Sequence, residues 1–98
     1  MYELQCRYDS RASFYGKAQV LEREEEQDNI AYKILELYSY GTLVAIITRN
    51  KETCLSTCEY LGNYSQTTTR HQKEFFKQYG LDDKQIKELF KNGVLEVR

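Results

Sequence analysis

The chain has 98 residues, and its 14 Lys and Arg nearly balance 15 Asp and Glu, for a formal net charge of −1. That length makes one domain able to bury roughly 60–68% of its unfolded surface without a disulfide or structural metal. Near-neutrality excludes a whole-protein electrostatic grip on nucleic acid or anionic membrane, and no run reaches the about 20 apolar residues of a membrane span.

Tyr2, Leu4, Cys6 and Tyr8 alternate with Glu3, Gln5, Arg7 and Asp9, which predicts an amphipathic strand followed by a turn at Asp9-Ser10-Arg11. Residues 13–22 read as a second strand with Phe14, Ala18 and Val20 on one face, Lys17 and Gln19 on the other, and a bulge or close approach at Gly16. Residues 23–29, which include Glu24, Glu25, Glu26 and Asp28, read as a charged loop. Their spacing does not match a calcium loop, so solvated carboxylates are the preferred reading.

Residues 32–49 organise the rest. Two runs rich in branched and aromatic residues fold about Tyr40-Gly41, and Asn50-Lys51 closes the second. Gly41 is read as the cheapest point of reversal between Gly16 and Gly62, because glycine takes positive φ without steric cost. The unbroken run Leu43, Val44, Ala45, Ile46, Ile47 fits a central strand covered on both faces. Residues 53–61 are read as a further short strand leading to a turn at Gly62-Asn63.

After Gly62 the period changes. Ser65 or Thr67 can cap a helix whose face carries Thr68, His71, Phe75, Phe76 and Tyr79, and Gly80 stops it. Asp82 with Gln85 forms a capping box, with Leu81 and Ile86 as its hydrophobic staple. Ile86, Leu89 and Phe90 supply the second apolar stripe, Asn92-Gly93 ends it, and residues 94–97 return as an edge strand able to pair two chains. The expected fold is a single α+β domain over 1–98. An antiparallel sheet of four to six strands (1–62, with 94–97) is covered on one side by two C-terminal helices within 65–92.

The chemistry is defined mostly by what is missing. His71 is the single histidine, which excludes multi-histidine metal sites. Cys54 and Cys58 with His71 would supply three zinc ligands where structural sites use four, so no metal and no cofactor is expected. A cysteine–histidine pair involving Cys6, Cys54 or Cys58 is weighed against a packing role for His71, and packing is preferred. Three cysteines without a paired framework, and the absence of an apolar leader after Arg7, point to a cytoplasmic setting. No phosphate loop, nucleophile elbow or dinucleotide fingerprint occurs, so no catalytic residue is assigned and the chain is read as a non-enzyme.

Charge and tyrosine content give the positive signal. Beyond residue 66 the balance is +2 and before it −3, and Arg70, Lys73 and Lys77 recur at helical spacing. With nine tyrosines in the chain, such a stripe can hold single-stranded nucleic acid by phosphate contact and stacking, although a solvated helix face is the simpler account.

Three segments, Ser13-Phe-Tyr-Gly-Lys-Ala18, Tyr38-Ser-Tyr-Gly-Thr-Leu-Val-Ala45 and Tyr64-Ser-Gln-Thr-Thr-Thr-Arg-His-Gln-Lys-Glu-Phe75, resemble a family of small uncharacterised proteins of phages and integrative elements of Gram-positive bacteria. The resemblance implies an accessory product of a mobile element, acting in the cytoplasm of the host bacterial cell. It further implies a counter-defence, anti-CRISPR-type inhibitor that binds a host defence protein or ribonucleoprotein, either a nuclease or its guide RNA complex. The expected binding surface combines Tyr15, Lys17, Tyr38 and Tyr40 with Arg70, Lys73 and Lys77. The alternative is an accessory protein for element maintenance or transfer that binds single-stranded nucleic acid.

Overall fold

Long stretches in which apolar and polar residues alternate lay the first two-thirds of the chain out as strands with unlike faces. The computed structural model describes residues 1–62 and 64–98. Its elements run β1 (Tyr2–Glu3), β2 (Ala18–Gln27), β3 (Ile30–Ser39), β4 (Thr42–Asn50), β5 (Ser56–Tyr60), α1 (Gln66–Tyr79), α2 (Asp83–Asn92) and β6 (Val94–Val97). Every strand pairs antiparallel with the next in the chain, giving one six-stranded sheet in the order β1-β2-β3-β4-β5-β6. The fold is therefore α+β, with β3 and β4 at the centre of the sheet and β6 on an edge.

The helices cover one face only. Ala18, Val20, Leu37, Ala45, Ile47 and Cys58 point from the strands into a core closed by Phe75 and Phe76 of α1 and by Ile86 and Leu89 of α2. Phe76 is fully buried and meets Phe75 and Phe90 edge-on, while Phe90 stacks on Tyr60 with ring centroids 4.2 Å apart. Ser65 is the N-cap of α1, its Oγ accepting from the Thr68 amide at 3.1 Å. Gly80 ends that helix at φ 109, and the Leu81 amide donates back to the Phe76 carbonyl at 3.1 Å. In α2 both halves of the capping box form: Asp82 Oδ1 accepts from the Gln85 amide at 2.8 Å, and Gln85 Oε1 accepts from the Asp82 amide at 3.0 Å.

Four expectations are corrected. The N-terminal strand shrinks to Tyr2–Glu3, extended by one bond from the Leu4 amide to the Ala18 carbonyl, because the backbone beyond it turns to reach α1. The second strand starts at Ala18 rather than at residue 13, since Tyr15 (φ 53) and Gly16 (φ 73) form a turn. The charged segment is strand through Gln27, held by the pairs Lys33–Glu22 at 2.6 Å and Lys51–Glu24. It projects past the helices, where neither face needs to be apolar. Gly41 is consequently not the sole reversal: Asp28 (φ 51) and Asn29 (φ 66) close a second hairpin, as short polar side chains that tolerate the left-handed region. The Tyr40-Gly41 turn forms as expected, at φ 51 and 80. The predicted Gly62-Asn63 turn rests on Asn63, which lies outside the described residues.

Phe76→Ala removes a fully buried ring at the junction of both helices with the sheet. It should cost about 3–5 kcal/mol in urea denaturation. A cost below about 1 kcal/mol would mean that the helical layer is not packed on the sheet as described.

Candidate functional site

Strand alternation sends every second side chain away from the helices. Across the sheet, the pairing register aligns Leu21, Glu36, Ile46, Glu59 and Val94 in one row, and Arg23, Ile34, Thr48, Thr57 and Glu96 in the next. Toward the hairpin tip Gln19, Tyr38 and Leu43 form a third. Among the described residues no helix or loop covers this face: Leu4 and Phe14 of the N-terminal loop join the core on the helical side. Ile34 is nonetheless 94% buried by its own neighbours (6% exposed), outside the main core cluster.

Carboxylates are set into this apolar surface. Glu36 lies between Leu21 and Ile46 with its side chain only 12% exposed, within 3.5 Å of Arg23 Nε and of the Tyr38 hydroxyl. Arg23 also pairs with Glu25, so the guanidinium on this face is already neutralised. The unbroken run Leu43–Ile47 was expected to be covered on both faces; instead Ala45 and Ile47 enter the core while Leu43 and Ile46 stay half-exposed on the open one. An apolar strand position without a covering layer is the sequence signal of this surface.

The residues expected to bind fall into two groups. Lys17, Tyr38 and Tyr40 come together with Met1 and Gln19 around an open depression of about 640 Å³ at the hairpin-tip end of the sheet. Tyr15 projects from the neighbouring turn, 77% exposed. Arg70 and Lys73 line a separate depression of about 530 Å³ with Arg11 and Tyr64, beside the first turn of α1. Arg70 is engaged there by Asp9 at 3.3 Å and by Ser10 Oγ at 3.4 Å, and Lys77 pairs with Asp83 at 3.3 Å. Two of the three cations in the predicted stripe are thus already matched by carboxylates.

His71 is wholly buried. Its Nδ1 is 2.8 Å from Ser39 Oγ, which lies 3.0 Å from Thr68 Oγ1, and its ring packs against Phe14 (4.5 Å) and Tyr40 (5.8 Å). Ser39 is only 2% exposed beneath α1, so this serine–histidine contact fastens the helix to the hairpin and offers no reachable nucleophile. The cysteines are scattered: Cys58 pairs with Ile47 and Leu95 inside the sheet, Cys54 is exposed in the turn after β4 (φ 64), and Cys6 is half-buried near the N-terminus. Among the described residues no three His, Cys, Asp or Glu side chains are grouped so as to hold a metal ion. Among them, too, no helix is long and apolar enough to cross a membrane.

Burial pushes the His71 pKa below its usual 6.5, with Asp9 and Arg11 opposing one another as weaker influences. A neutral buried ring contributes its stability above about pH 6.5, and loses it as pH falls through the folded-state value, because the unfolded chain takes up the proton first. The melting temperature should therefore drop between pH 7 and 5 in the natural chain, and less steeply in His71→Gln. Equal slopes would show that His71 does not titrate against folding.

Burial also raises the Cys58 pKa to about 11 and that of Cys6 to a lesser degree. Iodoacetamide at pH 7.5 should alkylate Cys54 first, Cys6 slowly, and Cys58 only in denaturant, as read by peptide mass mapping. Modification of Cys58 in the native protein at the Cys54 rate would contradict its place in the core.

No curated protein and no solved structure matches the chain. A protein-family model does match, over residues 2–92, which takes in the whole of the sheet up to β5, both helices and the N-terminal loop. The chain accordingly belongs to that family, a family of unknown function (DUF8033).

Proposed function

We propose that this chain is a non-catalytic binding protein that acts by laying its uncovered sheet face on a protein partner. In the setting implied by its sequence resemblance, it is a mobile-element counter-defence inhibitor of anti-CRISPR type, and the partner is a host nuclease or its guide RNA complex. One observation carries the reading. Leu21, Leu43, Ile46 and Tyr38 share one face, around the buried Ile34, that among the described residues no helix or loop covers. Contiguous apolar surface on a small domain marks an interaction site, and tyrosine suits such surfaces because its ring is apolar and its tip wet.

The nucleic-acid reading draws on the depression lined by Arg11, Arg70, Lys73 and Tyr64. It is the weaker of the two, because Asp9 already holds Arg70 and Asp83 holds Lys77. The test is cleavage by the guide-RNA-programmed nuclease of the bacterial host, with the chain added. Ile46→Lys should change folding stability by about 1 kcal/mol or less while weakening inhibition at least about tenfold. Arg70→Ala with Lys73→Ala should leave inhibition unchanged. Inhibition lost in the helix variants and kept in Ile46→Lys would transfer the function to nucleic-acid binding, and no inhibition by the natural chain would remove the proposal.

A further inference from the structure

The uncovered face is not simply apolar, and its charges specify the chemistry of what covers it. We infer that this face takes a cationic, apolar-flecked protein surface, one that presents lysines or arginines between aliphatic side chains. The inference rests on the docking reading above and adds the partner's charge.

Five carboxylates belong to the outward-facing positions: Glu3 beside Gln19, Glu25 beside Tyr32, Glu36, Glu59 and Glu96. Two cations stand against them: Arg23, which both Glu25 and Glu36 already bind, and Lys17, at the hairpin-tip end with Gln19 and Tyr38. Along the central row the register sets apolar and acidic side chains in turn, Leu21, Glu36, Ile46, Glu59, Val94. Directly opposed cross-strand residues stand close, about 4.5–5.5 Å between Cβ atoms, so each carboxylate has an apolar neighbour on either side. A partner that buries Leu21 and Ile46 must therefore also desolvate Glu59, which among the described residues has no paired cation, and Glu36, which shares its one cation, Arg23, with Glu25. Burying an unpaired charge is strongly unfavourable, so complementary cations have to arrive with the apolar groups.

The same arithmetic disfavours a second copy of this chain. Two such faces packed together would place acid on acid, and like charges brought together across an interface oppose association. The helical side lacks this acidic excess: in α2 and its cap the exposed Lys84, Lys87 and Lys91 are balanced by Asp82, Asp83 and Glu88. An approaching cationic surface is thus drawn to the sheet face more strongly than to the helical layer, which orients the encounter before contact.

The test is an NMR titration of the isotopically labelled full chain with three synthetic amphipathic helical peptides of one apolar face and one polar face, the polar face being lysine, glutamate or serine. The lysine peptide should shift the amides of Leu21, Ile34, Glu36, Ile46 and Glu59, with an affinity that falls as salt rises from 50 to 300 mM, as expected for partly exposed charge pairs. Glu36→Gln with Glu59→Gln should weaken that binding about tenfold while leaving the urea midpoint near that of the natural chain. Equal binding of the serine or glutamate peptide at the same amides would overturn the charge selection and leave the docking reading intact. Shifts confined to the acidic tip of β2 and β3, or dimerisation of the free chain that Ile46→Lys abolishes, would overturn the inference as well. Loss of inhibition in Ile46→Lys, measured separately, decides whether the docking reading itself survives.

Discussion

The seat of α1 on the sheet is fixed by directional bonds as well as by apolar packing. Gln72 is wholly buried, and its Nε2 donates to the Val44 carbonyl and to the Gly62 carbonyl, each at 3.0 Å. Val44 is the unmatched residue of a bulge, since Leu37 pairs with Ala45 and Tyr38 with Leu43. Its carbonyl also receives the Leu61 amide at 3.1 Å, so one irregularity in β4 gathers the exit of β5 and the flank of the helix. One turn earlier, Thr68 and His71 meet Ser39 at the end of β3. Leaving such buried groups unpaired costs about 1–3 kcal/mol each, so the helix has one acceptable register on the sheet where an all-apolar seam would let it slide.

The outer flank of α1 collects the rest of the irregular chain. Glu74 is only 1% exposed, yet its Oε1 accepts from the Tyr8 and Asp9 amides at 2.9 and 2.8 Å, and its Oε2 accepts from Gln78 Nε2 at 2.7 Å. Arg70 holds the side chains of Asp9 and Ser10 from the same helix. A carboxylate that accepts from three donors at once works as a clasp. The N-terminal segment is drawn onto the helical side, and among the described residues none covers the opposite face. The asymmetry on which the functional proposal stands is thus a by-product of how α1 is fastened.

Much of this architecture was legible beforehand. The hairpin at Tyr40-Gly41, the capping box at Asp82 and Gln85, and the stop at Gly80 are local, so residue type and spacing suffice to find them. What escaped was non-local. Glu24, Glu25 and Glu26 look like a loop by composition, and become strand only because β3 runs alongside them. Glu74 stands beside Lys73 in the sequence, and only the fold brings the backbone of residues 8 and 9 to it. Of the proposed surface, Lys17, Tyr38 and Tyr40 converge around one depression, whereas the place of Leu21, Ile34 and Ile46 depends on which face the helices choose. Hydrophobic pattern alone does not reveal that choice.

Sheet order and chain order coincide in this protein, so each strand from β1 to β5 needs only the next stretch of sequence in order to pair. Hairpins of this kind close short loops and can form early. The last strand is different, because both helices separate β6 from its neighbour β5. During synthesis, the β5 rim therefore stays bare until the C-terminal end has emerged and folded back. Over that interval the nascent chain carries an unprotected ladder of amides and carbonyls, and its solubility depends on how quickly four residues, Val94–Val97, arrive to seal it.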